Sequence, residues 1–114
     1  MNEEIVLLKI HKALQDDKDH YEATRKNWKI SLRRTESIQY AVGINRGKVE
    51  CVYQPLKWHV IEDGVDKGRL YFEGSEASAE IILKLQYAEE HLLKKFGSGN
   101  PIAYISLSEL ESYF

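Results

Sequence analysis

Cysteine occurs once in the 114 residues, at Cys51, so an internal disulfide and a zinc site built from several thiolates are both excluded. Long apolar runs are also missing: the longest is a few residues, too short to span a bilayer, and no membrane association is expected. The opening Met1-Asn2-Glu3-Glu4 is acidic where a secretory leader would be basic, and no cleavable apolar stretch follows. These absences predict a reducing, cytoplasmic setting. There is no internal repeat, no low-complexity segment and no linker-like stretch. Net charge is only −2, too mild for a protein that imitates DNA.

What is present is ordinary globular composition, with 43% hydrophobic and 30% charged residues, in a length suited to one domain. The small net charge hides an uneven distribution. Residues 24–58 carry Arg25, Lys26, Lys29, Arg33, Arg34, Arg46, Lys48 and Lys57 against only Glu36 and Glu50. Acids outnumber bases on either side of this segment, so a positive middle is flanked by negative ends.

Residues 2–15 carry Ile5, Leu8 and the set Val6, Ile10, Ala13 and Leu14 at helical spacing, with Asn2 as a cap and Glu3 and Glu4 at the positive end. A helix is predicted there, within an N-terminal helical extension over residues 1–20 that precedes a core at 21–106. Residues 21–34 lack a clean period, and Ser31 can cap a short helix at 32–37. The strongest local signal is a β-hairpin: residues 40–44 and 49–53 flank Asn45-Arg46-Gly47-Lys48, whose Gly47 supplies a positive φ. Pro55 is expected to end the second strand. Further strands are read at 58–61 and 69–73, the latter closed by Gly74. Residues 76–95 read as the longest helix, with Ile81, Leu85, Ala88 and Leu92 on one stripe and Gly97 as its stop. A last strand at 102–106 leads into a final short helix through the capping box Ser106-Leu107-Ser108-Glu109. The fold class expected is α+β: a small, curved, mostly antiparallel sheet with helices on one side or end. The helical link between the strands near 70 and 104 is the one place where a parallel crossover is expected.

Three segments together carry a resemblance. They are Ala23-Thr24-Arg25-Lys26-Asn27-Trp28-Lys29; then Tyr40–Ile44 with Gly47–Tyr53 and Trp58; then Arg69–Gly74 with Asn100-Pro101-Ile102-Ala103-Tyr104. The pattern resembles a group of small bacterial and phage proteins, some attached to restriction or nuclease modules, and through them the PUA-like barrels of RNA-binding PUA, ASCH, EVE and modified-base-reading domains. That resemblance implies a barrel-like sheet and a role in nucleic-acid recognition.

Candidate ligand-binding residues follow from chemistry. Arg25, Lys26, Lys29, Arg33 and Arg34 surround Trp28 with no acid among them, which suits phosphate contact beside base stacking. Lys57 and Trp58 offer a second cation and stacking wall, and Asn100 can present an amide to a base or ribose edge. Arg46 and Lys48 at the hairpin tip could grip a backbone. Each has a structural alternative: Trp28 and Trp58 as core anchors, the cations as a solvated face, and Asn100 as turn chemistry.

Catalytic signals are weak. His11, His20, His59 and His91 lack metal-ligand spacing, and His59 near Glu62 and Asp63 is ordinary turn composition. Cys51 sits in an apolar strand, and Gly97-Ser98-Gly99-Asn100 follows a helix instead of opening one, unlike a phosphate loop. The expectation is a non-enzymatic module without metal or cofactor that binds nucleic acid, including a flipped or modified base. A binder that sequesters free or cyclic nucleotides, as in phage anti-defence, is the rival, and a homo-oligomer is compatible with it. A protein–protein inhibitor acting through the acidic helices is the third class.

Overall fold

A computed structural model describes residues 3–97 and 99–114. Five strands, β1 (Glu4–Lys9), β2 (Ile38–Asn45), β3 (Lys48–Val60), β4 (Leu70–Glu76) and β5 (Ile102–Ser106), form one open sheet in the order β4-β3-β2-β1-β5. Three of the four pairings are antiparallel; β1 and β2 run parallel. Helices α1 (His11–Gln15) and α2 (His20–Arg25) connect β1 to β2, and α3 (Ala79–Tyr87) and α4 (Glu89–Leu93) connect β4 to β5. No helix among the described residues is long and apolar enough to cross a membrane.

The segment expected to begin with a helix begins with an interior strand. Ile5, Val6, Leu7 and Leu8 have no exposed surface, and β1 is hydrogen-bonded on both sides. A strand buried on both faces reads as a continuous apolar run, and periodicity cannot tell such a run from a buried helix. Helix begins only at His11. The proposed cap, Asn2, lies outside the described residues.

Both faces of the sheet are covered, not one. Ile5, Leu7, Val42, Ile44, Val52 and Ile105 pack with Leu85, Ala88, Leu92 and Leu110 from α3, α4 and the C-terminal 3-10 segment Leu107–Tyr113. Val6, Leu8, Ala41, Cys51, Tyr53 and Phe72 pack with Ile10, Ala23 and Ile30 on the other face. The parallel crossover is the early one, from β1 to β2. The link after residue 70 instead joins β4 and β5, at opposite edges of the sheet.

The hairpin forms where expected. Asn45 pairs with Lys48 across a two-residue loop in which Arg46 (φ 50°) and Gly47 (φ 81°) are both left-handed, the geometry that matches strand twist. Pro55 does not end β3. The strand passes through a register shift between Pro55 and Lys57, and Gly74, which was expected to close β4, lies opposite the bend inside β4. A Cβ at Gly74 would strike the Gln54 carbonyl and sit 2.9 Å from the Pro55 Cα. Gly74 turns its N–H outward to Tyr21, so Pro55 opposite it turns its nitrogen away from β4, to the side where pairing with β2 has ended at Ala41 and Tyr53. No ladder bond is lost, and Gly74 gives room for the close approach. The separate strand expected at 58–61 is therefore the far half of β3.

The single helix expected at 76–95 is two helices. Ser78 caps α3, its Oγ accepting from the Ile81 N–H at 3.3 Å, and the chain bends at Ala88 (φ −86°, ψ 4°) before α4. Ser31 Oγ accepts from the Arg34 N–H at 3.1 Å, but the helix expected at 32–37 is a 3-10 turn, Arg34–Ser37, whose N-cap is Arg33. Ser106 makes no side-chain cap, and the last helix is 3-10 in form.

Gly43 sets how closely α2 approaches the sheet. A Cβ there would lie 2.7 Å from Cys51 Sγ and 2.8 Å from both Ile10 Cδ1 and Thr24 Oγ1. The Gly43→Ala variant is expected to lose about 1–3 kcal/mol by overpacking, read as a lower urea midpoint. Tyr53 gives a second test. Burial, aided by Cys51 and Glu76, pushes its hydroxyl up from 10.0 to about 12. The folded state holds this proton more tightly than the unfolded chain. Its stabilising contribution is therefore complete below pH 10 and is lost as pH rises from 10 to about 12. Tyr53→Phe should remove that part of the alkaline loss in melts across this window.

Candidate functional site

The basic segment after α2 does two separate jobs. Asp19 caps α2, its carboxylate accepting from the Glu22 N–H at 2.8 Å, and the helix ends at Arg25. From there the chain runs beside β4 and satisfies its outer edge. Arg25 Nε donates to the Phe72 carbonyl at 2.9 Å. Trp28 exchanges backbone hydrogen bonds with Leu70, both at 2.9 Å, and the Gly74 N–H donates to the Tyr21 hydroxyl at 3.1 Å. An unpaired strand edge invites foreign strands, and here the protein's own segment blocks it.

Arg25 is engaged in this role and lines neither of the two clefts beside Trp28. Its side chain is only 14% exposed, it pairs with Glu22 at 3.1 Å, and its guanidinium lies 5.1 and 5.2 Å from the Tyr21 and Tyr71 rings. Lys26 also bonds Glu22, at 2.8 Å, and that hydrogen bond holds the Glu22 carboxyl below its usual range.

Trp28 is half-buried. Its Nε1 donates to the Thr24 carbonyl at 2.8 Å, and part of the ring packs on the core. The rest forms a wall shared by two neighbouring clefts. One, of about 470 Å³, is lined by Lys9, His11, Lys12, Ala13, Ala23, Lys26, Asn27, Trp28, Gly99, Asn100 and Pro101. The other, of about 310 Å³, is lined by Asn27, Trp28, Lys29, Arg69, Asn100, Pro101, Ile102 and Tyr104. Four residues belong to both, so the clefts form one groove beyond the C-terminal end of β1. Among the described residues no carboxylate lines it, and neither Lys12 nor Lys29 has an ion-pair partner. Asp66 stands behind the wall, accepting from Asn27 Nδ2 at 2.8 Å and lying 3.8 Å from Arg69 Nε.

The fold therefore gathers Trp28, Lys29 and Asn100 of the expected set. Asn100 Oδ1 accepts from the Ile102 N–H at 3.0 Å, which is turn chemistry and also leaves its amide NH₂ to donate elsewhere. Arg34 stands at the margin, its guanidinium 3.6 Å from the Tyr104 ring centre and 2.9 Å from Glu4. Arg33 is exposed and lines neither cleft. Trp58 packs edge-on against Phe72, with ring centres 5.1 Å apart, and lies away from the groove, as does exposed Lys57.

Lys9, His11, Lys12 and Arg69 were not expected here. The first three fall in the stretch read as a helical extension. Four apolar residues bounded by Lys9 are strand length, and a strand ending there places these side chains at the rim of the sheet.

The other reactive groups are engaged elsewhere. Burial pushes the Cys51 thiol up, and its Sγ lies 3.2 Å from Thr24 Oγ1. His59 stacks on Tyr71, ring centres 4.9 Å apart, and its buried Nε2 lies 3.6 Å from Glu73 and makes no hydrogen bond, to Glu62, Asp63 or any other group, among the described residues. No known protein family, no curated protein and no solved structure matches this chain.

The edge role of Arg25 is directly testable. Arg25→Ala strips the Phe72 carbonyl of a charge-assisted hydrogen bond, so a loss of about 1.5–3 kcal/mol is expected in chemical unfolding. Arg33→Ala, at an exposed position, should leave the midpoint within about 0.5 kcal/mol of the parent.

Proposed function

We propose that the groove around Trp28 binds a nucleotide unit of a nucleic acid. The observation that carries this reading is the conjunction of Lys9, Lys12, Lys26, Lys29 and Arg69 with an aromatic wall in a groove that no carboxylate lines. Lysines and arginine supply phosphate contacts, which fix position without reading sequence. The indole, with Pro101 beside it, supplies a stacking surface that tolerates any base. Two amides add selectivity. Asn100 retains its NH₂ as donor, whereas Asn27, whose Nδ2 is held by Asp66, retains its oxygen as acceptor. A donor and an acceptor side by side suit the edge of an unpaired base, such as one flipped from a duplex. The PUA-like resemblance implies a recognition role of the same kind, but the barrel it also implies is not formed: the five strands make an open sheet.

Cleft size favours one alternative. Each cleft falls within the roughly 300–1,000 Å³ of small-molecule sites, so a free or cyclic nucleotide is the second reading.

Salt separates the two. A short single-stranded oligonucleotide and a set of mono- and cyclic nucleotides would be titrated at two salt concentrations. For the oligonucleotide, log affinity should fall with log salt by roughly 0.7 per phosphate contacted. Lys12→Glu and Lys29→Glu should each weaken binding while leaving the melting temperature near that of the parent. Tight binding of a free nucleotide with little salt response, and none of the oligonucleotide, selects the second reading. Binding of neither overturns both.

A further inference from the structure

The two edges of the sheet are finished in opposite ways. On β4 the outward groups at Leu70, Phe72 and Gly74 are met by Trp28, Arg25 and Tyr21. On β5 most are unmet. The Lys9 N–H donates to the Pro101 carbonyl and the Leu107 N–H to the Glu3 carbonyl, so the odd-numbered residues of β5 turn their backbone groups toward β1. Ile102, Tyr104 and Ser106 therefore turn theirs outward. Among the described residues the Ile102 N–H is met by the Asn100 side chain and the Ser106 carbonyl by the 3-10 segment that it opens; the Ile102 carbonyl, both Tyr104 groups and the Ser106 N–H are left without a partner there. The strand Ile-Ala-Tyr-Ile-Ser holds no charge and no proline, and its pairing with β1 has no bulge. Charge, proline and a bulge, three of the devices that blunt an edge, are thus not built into this five-residue strand.

We infer that β5 pairs with β5 of a second copy of this chain, antiparallel, about a two-fold axis at Tyr104. In that register Tyr104 faces its own counterpart and Ile102 faces Ser106 of the other copy, so every outward-facing residue meets another. Such an isologous contact closes on itself and stops at two copies. Charge selects the same occupant and direction. At the Ile102 end stand Lys9, Lys12, Lys29 and Arg69, with no acid lining the clefts. At the Ser106 end a cavity of about 470 Å³ is lined by Glu3, Glu111, Ser106 and Ser108, with no cation among its lining residues. Antiparallel pairing brings the basic end of one copy beside the acidic end of the other, twice. Parallel pairing would set like charges together.

The test is mass in solution. Ser106 has φ −76°, which a proline ring accepts, and its N–H is one of the outward donors. Ser106→Pro should therefore keep the monomer fold while removing that donor and placing a ring in the partner's path. Light scattering on the parent chain should give twice the mass of one copy, falling toward one copy on dilution and at high salt. Ser106→Pro should give one copy at the same concentration with an unchanged far-ultraviolet spectrum. Amide exchange supplies a readout independent of the variant: the Tyr104 N–H should be slow in concentrated and fast in dilute parent protein. A parent that stays monomeric with a fast Tyr104 amide at millimolar concentration overturns the inference. So does a dimer that Ser106→Pro leaves intact, or a Tyr104 amide equally fast in dimer and monomer.

Discussion

Ile5, Val6, Leu7 and Leu8 impose the condition that the remaining structure meets. Ile5 and Leu7 turn to one face of the sheet and Val6 and Leu8 to the other, all without exposed surface. Burying such a side chain is worth about 1.5–3 kcal/mol, so this strand is favoured only where both faces are roofed and both edges paired. One roof comes from α3 and α4, laid down late in the chain. The other comes from α1 and α2, which the chain must supply in any case to bring β2 alongside β1 in the same direction. The crossover and the second roof are one piece of chain. Gly43 lets it settle close enough for Thr24 to reach Cys51.

From that arrangement follows the location of the groove. The crossover leaves the rim of the sheet at Lys9 and returns along β4, so its walls are the start of α1, the segment past α2 and the loop before β5. Cations distant in sequence meet there because the interior strand ends there. The same path accounts for the contrast between the two sheet edges: the segment long enough to reach β4 covers it, and no segment among the described residues does this for β5.

Local signals were legible where they were chemical. The Arg46-Gly47 turn and the β5 segment were read correctly because each depends on neighbours in sequence. The first strand was not, because an apolar run of four carries no period once both faces are buried. Proline misled for a related reason: a strand tolerates it where its nitrogen faces no ladder partner, and the residues that decide this for Pro55, Ala41 on one side and Gly74 on the other, lie far off in sequence. Of the candidate site, Trp28, Lys29 and Asn100 were legible from composition. Arg25 was not separable from them, since its partner is a carbonyl, Phe72, that only folding brings within 2.9 Å. Lys9 and Lys12 were hidden by the misread strand.

The paired hydrogen bonds between Trp28 and Leu70 bear on affinity as well as on shape. Fixing one residue's backbone costs about 1–2 kcal/mol in conformational entropy, whenever it occurs. Here Trp28 is tied to the sheet through both its N–H and its carbonyl, and Asn27 is tied through Asp66. That ordering belongs to folding. A ligand entering the groove meets a wall already immobilised, so its contact energy goes into affinity instead of into stilling a loop.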